Sequence, residues 1–125
     1  MTIAEVAKEY DISADTLRYY ERIGLLPAVN RTHGGIRDYS DSDCRWVEFI
    51  KRMRSAGVSV EALTEYVMLA QKGDSTFEQR RQILIEQRVR LVQRIEELQE
   101  SLERLNFKIS NYDTLMSTGG SCGNS

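Results

Sequence analysis

Between Thr16 and Arg37 the chain carries four arginines, Arg18, Arg22, Arg31 and Arg37, against a single acid, Glu21. This local excess of positive charge sits in a 125-residue chain whose formal net charge is −2, so the clustering is informative and the total is not. Tyr19, Tyr20 and Tyr39 are interleaved with the arginines. A guanidinium is a planar fork of donors that matches phosphate oxygens and the edge of guanine. A tyrosine beside it can pack on a sugar or donate to a phosphate. These residue types at this spacing point to duplex DNA. Thr16, Arg18, Tyr19 and Arg22 are expected at the groove, with Arg18 and Tyr19 entering it. Arg31, Arg37 and Tyr39 are expected on a neighbouring hairpin, where Arg37 and Tyr39 grip the backbone.

Catalysis fails on inventory. The one histidine, His33, falls in the hairpin, so neither a serine nor a cysteine has an obvious base. His33 reads as an exposed loop residue or a phosphate contact. Gly34-Gly35 belongs to a hairpin turn and not to a phosphate-cradling loop. A soft-metal site needs at least two thiolates, and a closed one three or more. The chain has two cysteines, Cys44 and Cys122, far apart in sequence. No enzymatic activity, metal or cofactor is expected.

The elements that must hold the basic patch are legible. Ile3, Val6 and Ala7 make a one-sided stripe on a short first helix, and small Ala7 permits close crossing by a second. Asp11 stands where a left-handed residue is wanted, a conformation Asp tolerates better than most. Ser13 is a good N-cap for a helix from Ala14 to about Ile23, with Leu17 and Tyr20 inward. Two short helices joined by a tight turn, the second basic outside, read as helix-turn-helix. Gly24 and Pro27 then turn the chain into the hairpin, closed near Gly34-Gly35. Ser40 or Asp41 caps a third helix to about Ser55, with Trp46, Ile50 and Met53 inward and Gly57 as its stop. Ser59 caps a fourth to about Gln71, with Leu63, Tyr66, Val67 and Ala70 inward.

The run Thr16-Leu17-Arg18-Tyr19-Tyr20-Glu21-Arg22-Ile23-Gly24-Leu25-Leu26-Pro27, followed by Arg31, Gly35, Arg37 and Tyr39, resembles the MerR family of transcriptional regulators. Trp46-Val47-Glu48-Phe49-Ile50, Arg54 to Ser59, Glu86-Gln87-Arg88 and Leu105 to Ile109 are similar to its aldehyde- and electrophile-responsive branch. The resemblance covers residues 1 to about 116. It implies a winged helix-turn-helix domain, homodimers through a long antiparallel helix pair, and activation by bending and untwisting an over-long promoter spacer where RNA polymerase also binds.

The long helix has its own signature. From Ser75 no Pro or Gly appears until Gly119. Phe77, Leu84, Leu91, Ile95, Leu98, Leu102, Leu105, Ile109, Tyr112 and Met116 recur at alternating three and four spacings, with Arg81 and Arg88 filling two places. That is a coiled-coil seam of about five heptads. A helix of ~40 residues reaches ~60 Å, too long for a small core to shelter, so a second chain is expected on the stripe. The heptads leave its polarity open; the family implies antiparallel pairing with Leu98 near the dyad. The expected fold is mostly α, divided into a winged helix-turn-helix domain at 1–73, a dimerisation coiled coil at 75–116 and a flexible Gly/Ser tail at 117–125.

Metal-sensing relatives place thiols at the start of the long helix, where this chain has Ser75-Thr76. Electrophile-responsive relatives carry a third-helix cysteine within the stretch matching Phe49 to Met53, and Arg52 stands there instead. Cys44, two turns upstream, reads as a small half-buried helix residue or as a thiol whose pKa the neighbouring Arg45 lowers. Cys122 reads as an exposed thiol. Both are carried as candidate redox or electrophile sensors. The signal is expected among the third and fourth helices, the start of the long helix and the partner's tail; the effector is not identified.

Hydrophobic content of 41% and charged content of 29% are those of a soluble protein. No apolar run approaches the ~20 residues of a membrane span, and the start lacks a signal peptide's pattern. A bacterial cytoplasmic protein, on the nucleoid when bound, is expected. Two alternatives remain open: a ligand-free repressor or architectural DNA-bending protein, and a coiled-coil interaction module whose basic hairpin is incidental.

Overall fold

The computed structural model describes residues 1–118. Five α-helices follow in order: α1 (Ile3–Tyr10), α2 (Ala14–Arg22), α3 (Asp41–Ser55), α4 (Val60–Lys72) and, after a short 3-10 turn at Asp74–Thr76, α5 (Phe77–Ser117). Four of them start on a side-chain cap. Thr2 and Glu5 form a reciprocal capping box on α1, Ser40 and Asp43 another on α3, and Ser13 and Ser59 cap α2 and α4. Each cap satisfies backbone donors that the first turn of a helix leaves without partners. Asp11 adopts φ 52°, ψ 55°, the left-handed turn that redirects the chain between α1 and α2. The Lys51 ammonium, reaching from α3, donates to the Tyr10 carbonyl and secures that turn from outside.

The chain divides into two compact units, the first ending at Arg88. Its core gathers Val6 of α1, Leu17 of α2, Leu25, Leu26 and Val29 of the following loop, Val47 and Ile50 of α3, and Leu63 of α4. Trp46, Phe49 and Tyr66 join α3 to α4 as an aromatic cluster with ring centroids 5.7 to 6.2 Å apart. The first turns of α5 belong to this unit, with Arg80, Ile83, Ile85 and Gln87 partly covered.

The segment between α2 and α3 differs from the expected β-hairpin wing. Gly24 (φ +82°) and Gly35 (φ +79°) turn the chain where a side chain would be strained. The pairing that follows is one antiparallel bridge, Arg31 with Arg37, and the described residues contain no named strand. The Thr32 amide donates to the Ile36 carbonyl at 2.7 Å and the Asp38 amide to the Asn30 carbonyl at 2.8 Å. Residues 30–36 are exposed and lack an alternating apolar face, so nothing drives the bridge to lengthen into a ladder. The wing is a closed turn.

From Val89 onward α5 lies in the second unit. Ile95, Leu98, Leu102, Leu105, Ile109, Tyr112 and Met116 are all exposed within the protomer, as are Val89, Val92 and Phe107. In the first unit, Leu84 is exposed and Leu91, just across the boundary, is half-buried. From Ile95 to Met116 the heptad stripe is therefore an exposed apolar face on a charged helix.

Candidate nucleic-acid interface

The second helix presents the arginines on its outer face because Leu17, fully buried, and Tyr20 occupy its inner one. Thr16 sits at the helix start, half-buried. Its amide donates to Ser13 Oγ at 3.0 Å, and the two hydroxyls lie 2.7 Å apart. Arg18 Nη1 meets Asp15 Oδ1 at 2.9 Å. Exposed pairs of this kind contribute at most about 1 kcal/mol, so a phosphate or guanine can displace the carboxylate. Arg22 lies over the exposed Tyr19 ring, 5.3 Å from its centroid, which orders both side chains at the surface. Arg18, Tyr19 and Arg22 thus form one exposed, cationic and aromatic edge.

The loop contributes differently from expectation. Arg31 is exposed, and its Nη1 donates to the Gly35 carbonyl at 2.9 Å, across the turn. Arg37 is turned inward: its Nε donates to Glu21 Oε1 at 2.7 Å. The other Glu21 oxygen accepts from the Val29 amide at 3.1 Å. Burial alone would raise the Glu21 pKa. The Arg37 hydrogen bond, the Val29 amide and the charges of Arg37 and Arg31 outweigh it and hold the carboxyl below its ordinary value.

Tyr39 requires a correction. Expected to grip the DNA backbone, it is 2% exposed and belongs to the core. Its amide donates to the Met1 carbonyl at 2.7 Å, which seats the ring inside. The hydroxyl is buried without a hydrogen-bond partner, and burial together with the Glu21 charge pushes its pKa up. Cys44 agrees with its reading as a helix residue with little exposure and not with the alternative of an activated thiol. It is buried, and desolvation raises its pKa despite a hydrogen bond from Tyr10, while Arg45 points to solvent on the next position of the helix. Burial disfavours the thiolate, so the alternative in which Arg45 lowers the Cys44 pKa does not hold. Cys122 lies outside the described residues.

Two features escaped the sequence. Glu21 is the only acid in the arginine cluster, and that oddity was the available signal. At the α4–α5 junction the Thr76 hydroxyl, 5% exposed, lies 2.7 Å from the Leu69 carbonyl and 2.8 Å from the Gly73 carbonyl, and accepts from Arg80 Nε at 3.0 Å. Arg80 also donates to the Gly73 carbonyl at 3.3 Å and stacks 4.6 Å from the Phe77 ring centroid. One threonine and one arginine therefore close the C-terminal carbonyls of α4 and fix the start of α5. Nothing in local propensity announces such a latch. Among the described residues no cluster of three or more His, Cys, Asp or Glu could hold a metal, and no helix is long and apolar enough to cross a membrane.

Comparison with known proteins agrees with this geometry. The family described as MerR HTH family regulatory protein matches residues 1–68, and that described as MerR, DNA binding matches residues 44–106. The chain is 55% identical over 93 residues to the HTH-type transcriptional regulator AdhR of Bacillus subtilis, covering 74% of this chain and 66% of AdhR, just under two thirds of that relative. It is 35% identical over 108 residues to the transcriptional regulator ZntR of Escherichia coli, covering 83% of this chain and 77% of ZntR. Among solved structures, a candidate MerR family transcriptional regulator from Listeria monocytogenes superposes with a TM-score of 0.92 at 45% identity, over 95% of this chain and 90% of that one. HiNmlR, a MerR family regulator lacking the sensor domain and bound to promoter DNA, superposes with a TM-score of 0.83 at 31% identity, over 94% of each chain. A helix-turn-helix with an arginine-rich second helix, matched in sequence and in three dimensions, places this chain in the MerR family of HTH regulatory proteins.

Proposed function

We propose that the chain regulates transcription as a homodimer on promoter DNA. The observation that carries this reading is the exposed edge of Arg18, Tyr19 and Arg22 on a second helix whose inner face is locked into the core. Arg18 and Tyr19 read base edges in the major groove, Arg22 and Arg31 meet phosphates, and Thr16 lies at the rim. Residues 1–73 act as the DNA-binding part and 75–116 as the dimerisation helix; the proposed tail at 117–125 falls almost wholly outside the described residues. The seam of Leu84, Leu91, Ile95, Leu98, Leu102, Leu105 and Ile109 pairs antiparallel with its copy, setting two DNA-binding units on one side of a palindromic operator.

The regulator acts by biasing a dimer between two arrangements of its DNA-binding units, so that an over-long promoter spacer is bent and untwisted for RNA polymerase. The resemblance to the aldehyde- and electrophile-responsive branch supports a stress signal of that chemical class. Burial of Cys44 disfavours it as the reacting thiol, which leaves Cys122 or a non-covalent ligand. In vitro transcription with Cys44→Ser, Cys122→Ser and the double variant separates these. Undiminished aldehyde induction in the double variant eliminates a thiol switch.

The DNA reading is tested by fluorescence anisotropy on the promoter duplex of the protein's own gene and on an unrelated duplex, between 50 and 200 mM salt. The expected logarithmic affinity falls linearly with logarithmic salt, with a slope near 0.9 per phosphate neutralised. Absence of salt-sensitive duplex binding would turn the reading to a coiled-coil interaction module.

A further inference from the structure

Glu21 is out of place on a phosphate-facing surface. It stands between Tyr20 and Arg22, yet a carboxylate there repels the polyanion that its neighbours attract. Its environment explains its presence. Leu17 and Glu21 are four residues apart on α2 and share the inner face, and the Glu21 side chain is 14% exposed. Both oxygens are engaged, one by Arg37 and one by the Val29 amide. These two partners lie at the two ends of the loop that carries Arg31, whose other hydrogen bonds, Thr32 to Ile36, Asp38 to Asn30 and Arg31 to Gly35, close the loop on itself and do not reach the second helix. Glu21 is therefore the chief polar tie between the second helix and the loop.

We propose that Glu21 is a positioning and specificity-determining residue, which holds Arg37 as a strut rather than leaving it as a phosphate ligand. The inference rests on the DNA-binding reading above. The strut fixes the distance between the groove-reading edge, Arg18 to Arg22, and the phosphate-contacting Arg31. It also cancels the charge of Arg37, so that arginine adds nothing to sequence-independent attraction. Preorganisation favours the matched site alone, whereas a loose cation favours every duplex equally.

Removing the carboxylate charge then has opposite consequences for the two classes of DNA. In Glu21→Gln, the amide oxygen still accepts from Val29, while Arg37 gains a free positive charge. Non-specific binding should strengthen, the salt slope should steepen by about one, and the ratio of specific to non-specific affinity should fall tenfold or more. Arg37→Gln leaves an unpaired carboxylate and should weaken both classes with a shallower slope. The double variant restores neutrality, so its slope returns to that of the wild type while the specificity ratio stays low. If Arg37 were an independent phosphate ligand, Glu21→Gln would leave the slope unchanged and the double variant would be as shallow as Arg37→Gln.

The experiment measures anisotropy against a duplex selected from a randomised library by the wild-type protein and against poly(dI-dC), across the salt series, for wild type and the three variants. Folding of each is checked by thermal unfolding. Should Glu21→Gln fail to fold, the double variant, which buries no unpaired charge, carries the test alone through its slope. A steeper Glu21→Gln slope with a lost specificity ratio supports the strut. An unchanged slope in Glu21→Gln, or a flattened one in the double variant, overturns it while leaving DNA binding intact. Absence of salt-dependent binding by the wild type removes the function and the strut together.

Discussion

Leu17 and Leu98 are leucines in well-formed helices, and they meet opposite fates. Leu17, on a helix of nine residues, is 0% exposed; Leu98, on a helix of 41 residues, is 60% exposed within the protomer. The short helix finds its cover in cis, because α1, α3 and the loop after it fold over one face. Among the described residues nothing covers the apolar stripe that the long helix carries from Ile95 to Met116. Spacing reveals that a face is to be covered, and length reveals whether one chain can cover it. The first unit has a closed core, and the distal part of α5 leaves its apolar stripe exposed within the protomer.

The sharpest way to break that contrast is Leu98→Asp. Each protomer should lose about 1.5–3 kcal/mol of leucine burial and bring a carboxylate to the seam. Sedimentation should report monomers that no longer hold the operator, and the melting temperature should stop depending on protein concentration. A dimer that persists would show that the stripe is not the interface. Leu17→Ala should act on the other region, costing about 2–5 kcal/mol of unfolding free energy measured by denaturant titration, through transfer and cavity terms together. A cost below 1 kcal/mol would mean that the first unit is loosely packed. Arg18→Ala leaves both regions folded and should cost about 1–3 kcal/mol of operator affinity with relaxed preference at one base position. A uniform loss across all duplexes would reassign Arg18 to phosphate.

The smallest effect is a pH dependence confined to the first unit. The Glu21 pKa is depressed in the folded protein, so its contribution is fully present above the unfolded-state value, near 4.3, and fades as pH falls through the folded value. The stability advantage of wild type over Glu21→Gln should therefore shrink below about pH 4. Thermal melts across pH 3 to 7 check it, and a pH-independent difference would show that the carboxylate charge is not the stabilising feature.

What the sequence made legible was local. Ser13, Ser40 and Ser59 cap the helices they were expected to cap, and Asp11 takes the left-handed turn. Helix ends fall within a residue or so of their signals. The basic face of α2 follows from Leu17 and Tyr20 taking the inner one. The misread residues depend on partners far along the chain. Tyr39 is drawn into the core by a backbone bond to Met1, and Arg37 is claimed by Glu21 sixteen residues earlier. Paired glycines announced a turn but carried no information on whether strands would flank it. Cys44 is buried, in line with its reading as a helix residue of little exposure, and only the alternative that Arg45 activates its thiol is overridden by desolvation.

The proposal that a second chain covers the exposed stripe of α5 is tested most directly by sedimentation equilibrium of the wild-type chain, alone and with the library-selected duplex. The expected particle has twice the mass of the chain when alone and the mass of two chains plus one duplex when bound. A monomer that binds duplex one to one with undiminished affinity would contradict it.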